Sequence, residues 1–305
     1  MRWVALFSGQ GGQRSEHAQQ LRTCLPDDLR GAWQRALASA GVSTDALDAD
    51  TLMRNRVAQP TVVAWQVAAF ARLAAVLRSP VLVAGYSVGE VAACAAAGGI
   101  APADAIELSV ARAQAMDEAV DLPSGLAAVL GLAENDLARL CQDYGAAIAI
   151  RNGPRHFVVG GSQRSLDALI AAAPEAGVTR ACLLPVEVPA HTHWLAPSVP
   201  RFAAALAGRV RGPLAVPMLS GIDASRLRSA EEAVSALSRQ LATPLDWSAC
   251  MEAIAEMQPD AVLEIGPGNA LARMMVESAP DVRVRSLDEF RDPAAAIAWA
   301  ARQAD

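Results

Sequence analysis

The fold of this chain is decided by the segment Val81-Leu-Val-Ala-Gly85-Tyr86-Ser87-Val88-Gly89-Glu90. Its first four residues are apolar, follow Pro80, and predict a buried strand of the parallel type. The strand runs into a G-x-S-x-G pattern, and a helix is expected from about 90 to 97. Glycines on both sides permit a strained strand-to-helix turn that exposes the serine hydroxyl. The pattern therefore predicts Ser87 as a nucleophile; the alternative is a serine that only caps the helix.

Similar strand-and-turn units lie on either side of this segment. Residues 3–7 form a short apolar run that ends in the glycine-rich stretch 8–13, and the apolar run 261–265 ends in Gly-Pro-Gly. A long alanine-rich helix is expected over 57–77, with a proline early in it, where the missing N–H is tolerated. Strands that alternate with helices predict an α/β sheet.

A different pattern occupies residues 124–189. Its elements are shorter and follow the order β-α-β-β-α-β, which is that of a ferredoxin-like unit. We interpret 124–189 as a subdomain inserted into a large α/β domain made of 1–123 and 190–305. The predicted elements of the insert are strands at 125–130, 146–151, 156–160 and 181–188, and helices at 134–144 and 165–173.

Composition excludes several classes of protein. The 305 residues carry a net charge of −6 with scattered arginines, which gives a nucleic-acid interface no electrostatic basis. No apolar run of 18 residues and no signal peptide is apparent, so a cytoplasmic protein without a membrane segment is expected. The five cysteines are widely spaced, lack a C-x-x-C pair, and are interpreted as small buried hydrophobic residues rather than as metal or redox ligands.

A serine nucleophile needs a base, and the chain has four histidines. His17 lies in a polar loop and His156 at the start of a strand, and both are expected to be solvated. His191 and His193 lie in the loop that closes the insert, from which a side chain could reach back across a cleft. A metal site at His191-x-His193 is an alternative, but no cluster of further ligands accompanies it.

Four motifs in this order resemble the malonyl-CoA:acyl-carrier-protein transacylases and the acyltransferase domains of fatty-acid and polyketide synthases. The correspondence covers nearly the whole chain. The matching segments are Phe7-Ser-Gly-Gln-Gly-Gly-Gln13, Gly85-Tyr-Ser-Val-Gly-Glu90, Val188-Pro-Ala-His191 and Glu264-Ile-Gly-Pro-Gly268.

The resemblance implies roles for individual residues. Ser87 would be the nucleophile, His191 the base and acid, and the N–H groups of Gln10 and Val88 the oxyanion hole, with His193 the lesser candidate for the base. In this family a backbone carbonyl holds the histidine in place of an aspartate. Gln240 matches the segment that supplies this carbonyl.

The resemblance also implies a site for the acyl group. Arg112 matches the family's substrate arginine, whose planar fork binds a carboxylate through two hydrogen bonds. Gln59 and Asn152 match further positions near the site. Three departures from the family pattern, Tyr86, Ser8 and Ala190, bear on the shape of the acyl pocket and leave the core chemistry untouched.

The implied activity is transfer of a malonyl or related carboxyacyl group from coenzyme A to the phosphopantetheine thiol of an acyl carrier protein, through an acyl-Ser87 intermediate. No metal or redox cofactor is implied. One alternative is a hydrolase that releases the same acyl-serine to water, although Arg112 argues against a purely apolar acyl group. Another is a non-catalytic scaffold, which would be expected to lack Ser87 or His191.

Overall fold

Six strands form the main sheet of the computed structural model, which describes residues 1–290 and 293–302. Across the sheet their order is 11-10-1-2-7-8, and only the last pair is antiparallel. The predicted α/β fold is thereby confirmed. The strands are β1 (Trp3–Phe7), β2 (Leu82–Gly85), β7 (Pro213–Leu219), β8 (Arg226–Ser229), β10 (Ala261–Ile265) and β11 (Val284–Ser286).

The register of the central strands brings three loops together. Phe7, the last residue of β1, lies opposite Gly85 on one side and Ile265 on the other. Since β1, β2 and β10 are parallel, the loops that follow them leave at one edge of the sheet, where ligands of open α/β sheets bind. The glycine-rich loop, the serine turn and the Gly-Pro-Gly turn thus meet at that edge.

Helices cover this sheet, and the longest of them is largely buried. The predicted helix over 57–77 is observed as Asn55–Ala74, with Pro60 near its start. Burial along much of its length gives it an apolar surface without a clear polar face, as expected for a helix packed between others. The helices are α1 (Ser15–Cys24), α2 (Asp27–Ser39), α3 (Ala49–Met53), α4 (Asn55–Ala74), α5 (Gly89–Ala96), α6 (Pro102–Asp117), α9 (Ser198–Leu206), α10 (Ala230–Arg239), α11 (Trp247–Glu256), α12 (Ala270–Ser278) and α13 (Pro293–Ala301).

A second sheet has the strand order 6-3-5-4-9, in which the first four strands are antiparallel. It comprises β3 (Ser124–Leu130), β4 (Ala146–Gly153), β5 (His156–Ser162), β6 (Arg180–Leu183) and β9 (Leu245–Asp246), with α7 (Glu134–Tyr144) and α8 (Gln163–Ala172). The order of elements from β3 to β6 is the predicted β-α-β-β-α-β. β9 comes from outside 124–189, and the domain boundaries stay a prediction.

The two faces of the second sheet have different neighbours. Phe157 and Val159 on β5 pack with the helices α7 and α8 in a core of their own. Val158, between them, belongs to the main core together with Leu126 and Ile150. Because successive side chains of a strand point to opposite faces, one face of this sheet covers its own helices and the other covers the large domain.

The structure corrects three expectations. Strand β6 ends at Leu183 instead of 188, because Leu184, Val186 and Val188 pack with the main core instead of continuing the strand. His17 is buried, not solvated, since its Nε2 lies 3.0 Å from Asp288 Oδ1 and its ring packs edge-on against Trp65. Cys24 is exposed and Cys182 half-buried, whereas the other three cysteines are buried as expected. Within the described residues, no helix combines the length and the hydropathy needed to cross a bilayer.

Candidate active site

Ser87 lies at the tip of the turn between β2 and α5, in a left-handed backbone conformation with φ of +56°. The glycines beside it are required by close packing. A Cβ on Gly85 would overlap the backbone of Glu90, and a Cβ on Gly89 would overlap the carbonyl of Phe7. A strained serine at the start of a helix matches the geometry of a nucleophile elbow.

His191 reaches Ser87 from the loop before α9. Its Nε2 lies 2.8 Å from Ser87 Oγ, and its Nδ1 lies 2.5 Å from the carbonyl oxygen of Gln240. A carbonyl oxygen only accepts, so Nδ1 carries the proton and Nε2 accepts from the serine hydroxyl. Burial, with a smaller contribution from Arg112, lowers the pKa of His191 to about 3. The imidazole is therefore neutral at pH 7, as a base must be.

Arg112 extends from α6 into the same site and is 1% exposed. Its Nη2 donates to Gln240 Oε1 at 2.9 Å and lies 3.3 Å from Ser87 Oγ; its Nη1 donates to Gln59 Oε1 at 2.9 Å. Its Nε is buried without a partner among the described residues. Burial lowers the pKa of Arg112 to about 10, so the group stays a cation at neutral pH.

The partners of Arg112 are themselves held in place. Gln59 Nε2 donates to Asn55 Oδ1 at 2.7 Å, and Asn55 Nδ2 donates to Asp117 Oδ1 at 2.7 Å. This chain of contacts fixes which end of the Gln59 amide faces the arginine. Asn55 was not among the predicted site residues, because the predicted helix began at 57 and so excluded the position one turn before Gln59.

Glu90 is a second residue of the site for which the sequence predicted no role. It is fully buried in the first turn of α5, and burial raises its pKa to about 7. Gln240 Nε2 donates to Glu90 Oε2 at 2.8 Å, and the N–H of Gly221 donates to Oε1. Gln240 thus contacts the histidine through its main chain and Glu90 through its side chain. A glutamate within an otherwise apolar helix start was the available signal.

Tyr86 links the serine turn to the second sheet. Its hydroxyl donates to Asn152 Oδ1 on β4 at 3.1 Å, and its ring packs edge-on against Trp247. Burial raises the pKa of the phenol, so the hydroxyl remains protonated. Asn152, which the sequence placed near the site, therefore acts on the turn and not directly on Ser87.

A cavity of about 60 Å³ opens onto Ser87. Its polar groups lie on the side of the large domain and its apolar wall comes mainly from the second sheet and the segment after it. The lining residues are Gly9, Gln10, Tyr86, Ser87, Arg112, Met116, Leu126, Ile150, Val158, Leu184, Val186, Ala190 and His191. A larger cavity, of about 280 Å³, lies between α1, α4, residues 287–290 and Ala296, and contains none of the predicted site residues.

The remaining predicted residues fall into two groups. Gln10 lines the cavity, and Val88 directly follows Ser87 at the entry to α5. His193 lies outside the cavity, exposed, with its ring 4.1 Å from that of Trp194. His156 is half-buried at the first position of β5, where it lies opposite Leu130 on β3. Over the part of the chain that the structure describes, no cluster of three His, Cys, Asp or Glu could hold a metal ion.

These features define a class of protein. A serine on a strained strand-to-helix turn, hydrogen-bonded to a neutral histidine beside a buried arginine, is the arrangement of an α/β enzyme that forms acyl-serine intermediates. The sequence model of the acyl transferase domain family matches residues 4–288. The chain belongs to this family, and the resemblance inferred from the four motifs is confirmed.

Individual relatives agree with this assignment. The malonyl CoA-acyl carrier protein transacylase of Mycobacterium tuberculosis is 31% identical over 297 residues, which is 95% of this chain and 97% of that protein. The acyl-carrier-protein S-malonyltransferase of Burkholderia pseudomallei has a TM-score of 0.86 at 28% identity, covering 98% of this chain and 100% of that chain. A malonyl-transacylase solved in complex with a type II polyketide acyl-carrier protein has a TM-score of 0.86 at 27% identity, covering 98% and 99%.

Proposed function

We propose that this protein transfers a malonyl group from malonyl-CoA to the phosphopantetheine thiol of an acyl carrier protein. The observation that carries the proposal is the buried Arg112 cation, whose Nη2 lies 3.3 Å from Ser87 Oγ and whose Nε has no partner among the described residues. A buried donor without an acceptor is costly, so the site is built to receive one. A carboxylate satisfies the guanidinium fork with two charge-assisted hydrogen bonds.

The first half-reaction forms the acyl-enzyme. Ser87 Oγ attacks the thioester carbonyl while its proton passes to His191 Nε2, and the N–H groups of Gln10 and Val88 stabilise the oxyanion. The oxygen-to-carbon bond forms and the carbon-to-sulfur bond breaks. His191 then gives its proton to the leaving sulfur, which departs as coenzyme A with a free thiol. The main-chain oxygen of Gln240 stabilises the imidazolium in between.

The second half-reaction reverses these steps with another thiol. The phosphopantetheine thiol of the carrier gives its proton to His191 Nε2 and attacks the acyl-serine carbonyl. The new carbon-to-sulfur bond forms, the bond to Ser87 Oγ breaks, and the serine recovers its proton. Neither half needs a metal ion or a redox cofactor. Because coenzyme A thioesters are used in the cytoplasm, we propose that compartment for the reaction.

The cavity supports a short acyl group. Its volume of about 60 Å³ is small beside the cavity of about 280 Å³ near α1 and α4. Arg112 occupies the polar side and an apolar wall faces it, which suits a carboxylate at the end of a short chain. A shielded pocket also keeps activated water from the acyl-serine, which favours transfer over hydrolysis.

Intact mass of the purified protein after brief incubation with malonyl-CoA tests the proposal. We expect one malonyl adduct that is absent from Ser87→Ala, is reduced more than tenfold in Arg112→Ala, and passes to a carrier protein bearing phosphopantetheine. The exposed Arg211 supplies the control Arg211→Ala, which should load like the unaltered protein. Free malonate without loading of the carrier would instead establish the hydrolase, and no adduct on Ser87 would refute both.

A further inference from the structure

We propose that Glu90 is a positioning residue: its carboxylate fixes the orientation of the Gln240 side-chain amide, and that amide holds the Arg112 fork in place for the substrate carboxylate. The inference deepens the proposed function and rests on it, because the ligand of Arg112 is the proposed acyl carboxylate. Its basis is a continuous chain of buried contacts, Glu90 to Gln240 to Arg112.

The orientation of an amide depends on its neighbours, since one end donates and the other accepts. Gln240 Nε2 faces two acceptors, Glu90 Oε2 at 2.8 Å and the carbonyl oxygen of Ser87 at 3.0 Å. Its Oε1 therefore faces the donor Arg112 at 2.9 Å. A reversed amide would set its NH₂ group against the guanidinium and leave Glu90 Oε2 without its donor, whereas the Ser87 carbonyl would still accept from the N–H of Glu90. Both oxygens of Glu90 act as acceptors in the structure, Oε1 from the N–H of Gly221 and Oε2 from Gln240 Nε2, and this disfavours the reversal.

Glu90 has little freedom of its own. The N–H of Gly221 donates to its second oxygen, and a Cβ on Gly221 would overlap that oxygen. The carboxylate is thus held between the Gly221 backbone and the Gln240 amide, with 0% exposure. A fixed acceptor in a water-free environment orients its donor more strongly than one in solvent.

When it is ionised, Glu90 also supplies a countercharge to Arg112 without occupying its fork. It is the carboxylate whose charge acts on the buried guanidinium, yet no hydrogen bond described for Arg112 goes to it. The amide of Gln240 lies between the two charges. This arrangement stabilises the buried cation and leaves its Nε without a hydrogen-bond partner among the described residues.

The histidine contact of Gln240 can be separated from this role. His191 Nδ1 donates to the main-chain oxygen of Gln240, which a side-chain substitution retains. Glu90→Gln keeps the volume and an acceptor for Gly221 but loses the charge and presents a donor as well as an acceptor to Gln240. Gln240→Met removes the amide and keeps its approximate volume. Both variants should therefore disturb Arg112 more than they disturb Ser87 and His191.

The test compares two reagents that share Ser87 and differ in the carboxylate. One is malonyl-CoA, and the other is a small alkyl fluorophosphonate, an uncharged reagent that reacts at Ser87 and offers Arg112 no carboxylate; both are used at pH 8, above the pKa of about 7 of Glu90. We expect Glu90→Gln and Gln240→Met each to lower the ratio of the malonylation rate to the phosphonylation rate about tenfold, the loss of one charge-assisted contact. The double variant should lose no more than Gln240→Met alone, because both changes break one chain of contacts. The exposed Glu175 gives the control Glu175→Gln, with an unchanged ratio.

Each other outcome has a definite meaning. An equal loss with both reagents would show a general structural role for Glu90 and overturn the inference, as would an unchanged ratio in either single variant. Independent, additive losses in the double variant would overturn the relay through Gln240. If the unaltered protein forms no malonyl adduct, the proposed function fails together with this inference. If it does form the adduct and the ratio does not move, only the inference fails.

Discussion

Ser87 and His191 share an unusual backbone conformation as well as a hydrogen bond. Their φ angles are +56° and +62°, in the left-handed region that non-glycine residues rarely adopt. Such strain costs about 1–3 kcal/mol at each residue and persists only where the surroundings enforce it. At both positions the left-handed backbone directs the side chain into the cavity. The surrounding fold enforces this strain, and as a result Ser87 Oγ lies 2.8 Å from His191 Nε2.

At the residue scale, the protonation of His191 has a measurable consequence. Burial lowers its pKa from 6.5 to about 3, so the base form predominates across pH 5–8. We therefore expect the rate at which a small alkyl fluorophosphonate labels Ser87 to stay nearly constant from pH 8 down to pH 5. An ordinary histidine would lose about thirtyfold over the same interval. Mass spectrometry of the labelled protein measures this rate at each pH. A decline in the rate centred on pH 6.5 would contradict the lowered pKa of His191.

A second residue-scale prediction concerns Gly89. An added Cβ there would overlap the carbonyl of Phe7, a main-chain atom of a central strand that has no room to move. We expect Gly89→Ala to lower the free energy of unfolding by about 3 kcal/mol, at the upper end of the range for overpacked sites. Urea denaturation measures this change.

The control for Gly89→Ala is a glycine inside a helix. Gly31 lies within α2, and a Cβ there meets only the flexible end of Arg35. Gly31→Ala should stabilise the protein by about 0.5–1 kcal/mol through helix propensity. Equal effects at the two glycines would rule out the close packing inferred for the serine turn.

Local motifs identified the site residues only in part. Ser87 and His191 lie in short patterns whose geometry is local, so the sequence alone was enough to place them on a turn and a loop. The connection from Glu90 through Gln240 spans 150 positions and depends on side-chain packing, which no local pattern encodes. Asn55 was not predicted for a different reason: its contact with Gln59 is local, but Asn55 lies two positions before the predicted start of the helix at 57.

At the scale of elements, Tyr86 and Asn152 join the serine turn to the second sheet. The hydroxyl of Tyr86 donates to Asn152 across the interface, and both groups are largely shielded from water. We expect Tyr86→Phe to destabilise the protein by about 1–2 kcal/mol, because Asn152 Oδ1 loses its donor while staying buried. Tyr144→Phe, at the half-buried end of α7, should change stability by less than about 0.5 kcal/mol. Matching effects in urea denaturation would mean that the contact adds nothing.

The elements themselves were predicted well where periodicity and end signals agree. Helix α7 has the predicted bounds, 134–144, because an apolar stripe ends at Gly145, whose φ of +67° suits glycine. Strand β6 is five residues shorter at its C-terminal end than predicted, since Leu184, Val186 and Val188 face the cavity and the main core instead of continuing the ladder. The two-residue strand β9 has no sequence signal at all, as its pairing with β4 is purely tertiary.

At the scale of the whole molecule, two buried carboxylates oppose one buried imidazole in the dependence of stability on pH. Glu90 and Glu264 have raised pKa values of about 7, because burial favours the neutral acid. Such groups hold a proton in the folded state when the unfolded chain has lost it, so their contribution falls as the pH rises from 4.5 to 7. His191 acts in the opposite direction: its contribution rises from about pH 3 to 6.5 and is then constant.

Glu264 allows this balance to be measured away from the active site. Its oxygens accept from the N–H groups of Leu271 and Ala272 in the first turn of α12, and its burial raises the pKa from 4.5 to about 7. Glu264→Gln removes the titration. We compare the free energy of unfolding of this variant with that of the unaltered protein at each pH. The difference between them should shift in favour of the variant by up to about 3 kcal/mol from pH 5 to pH 8, at 1.36 kcal/mol per unit of pKa shift. Urea denaturation at the two pH values gives the difference, with the exposed Glu175→Gln as the control that should not vary. A difference that stays constant for Glu264→Gln would mean that the carboxylate ionises in the fold at its ordinary pKa, so that the helix N–H groups offset the whole cost of its burial.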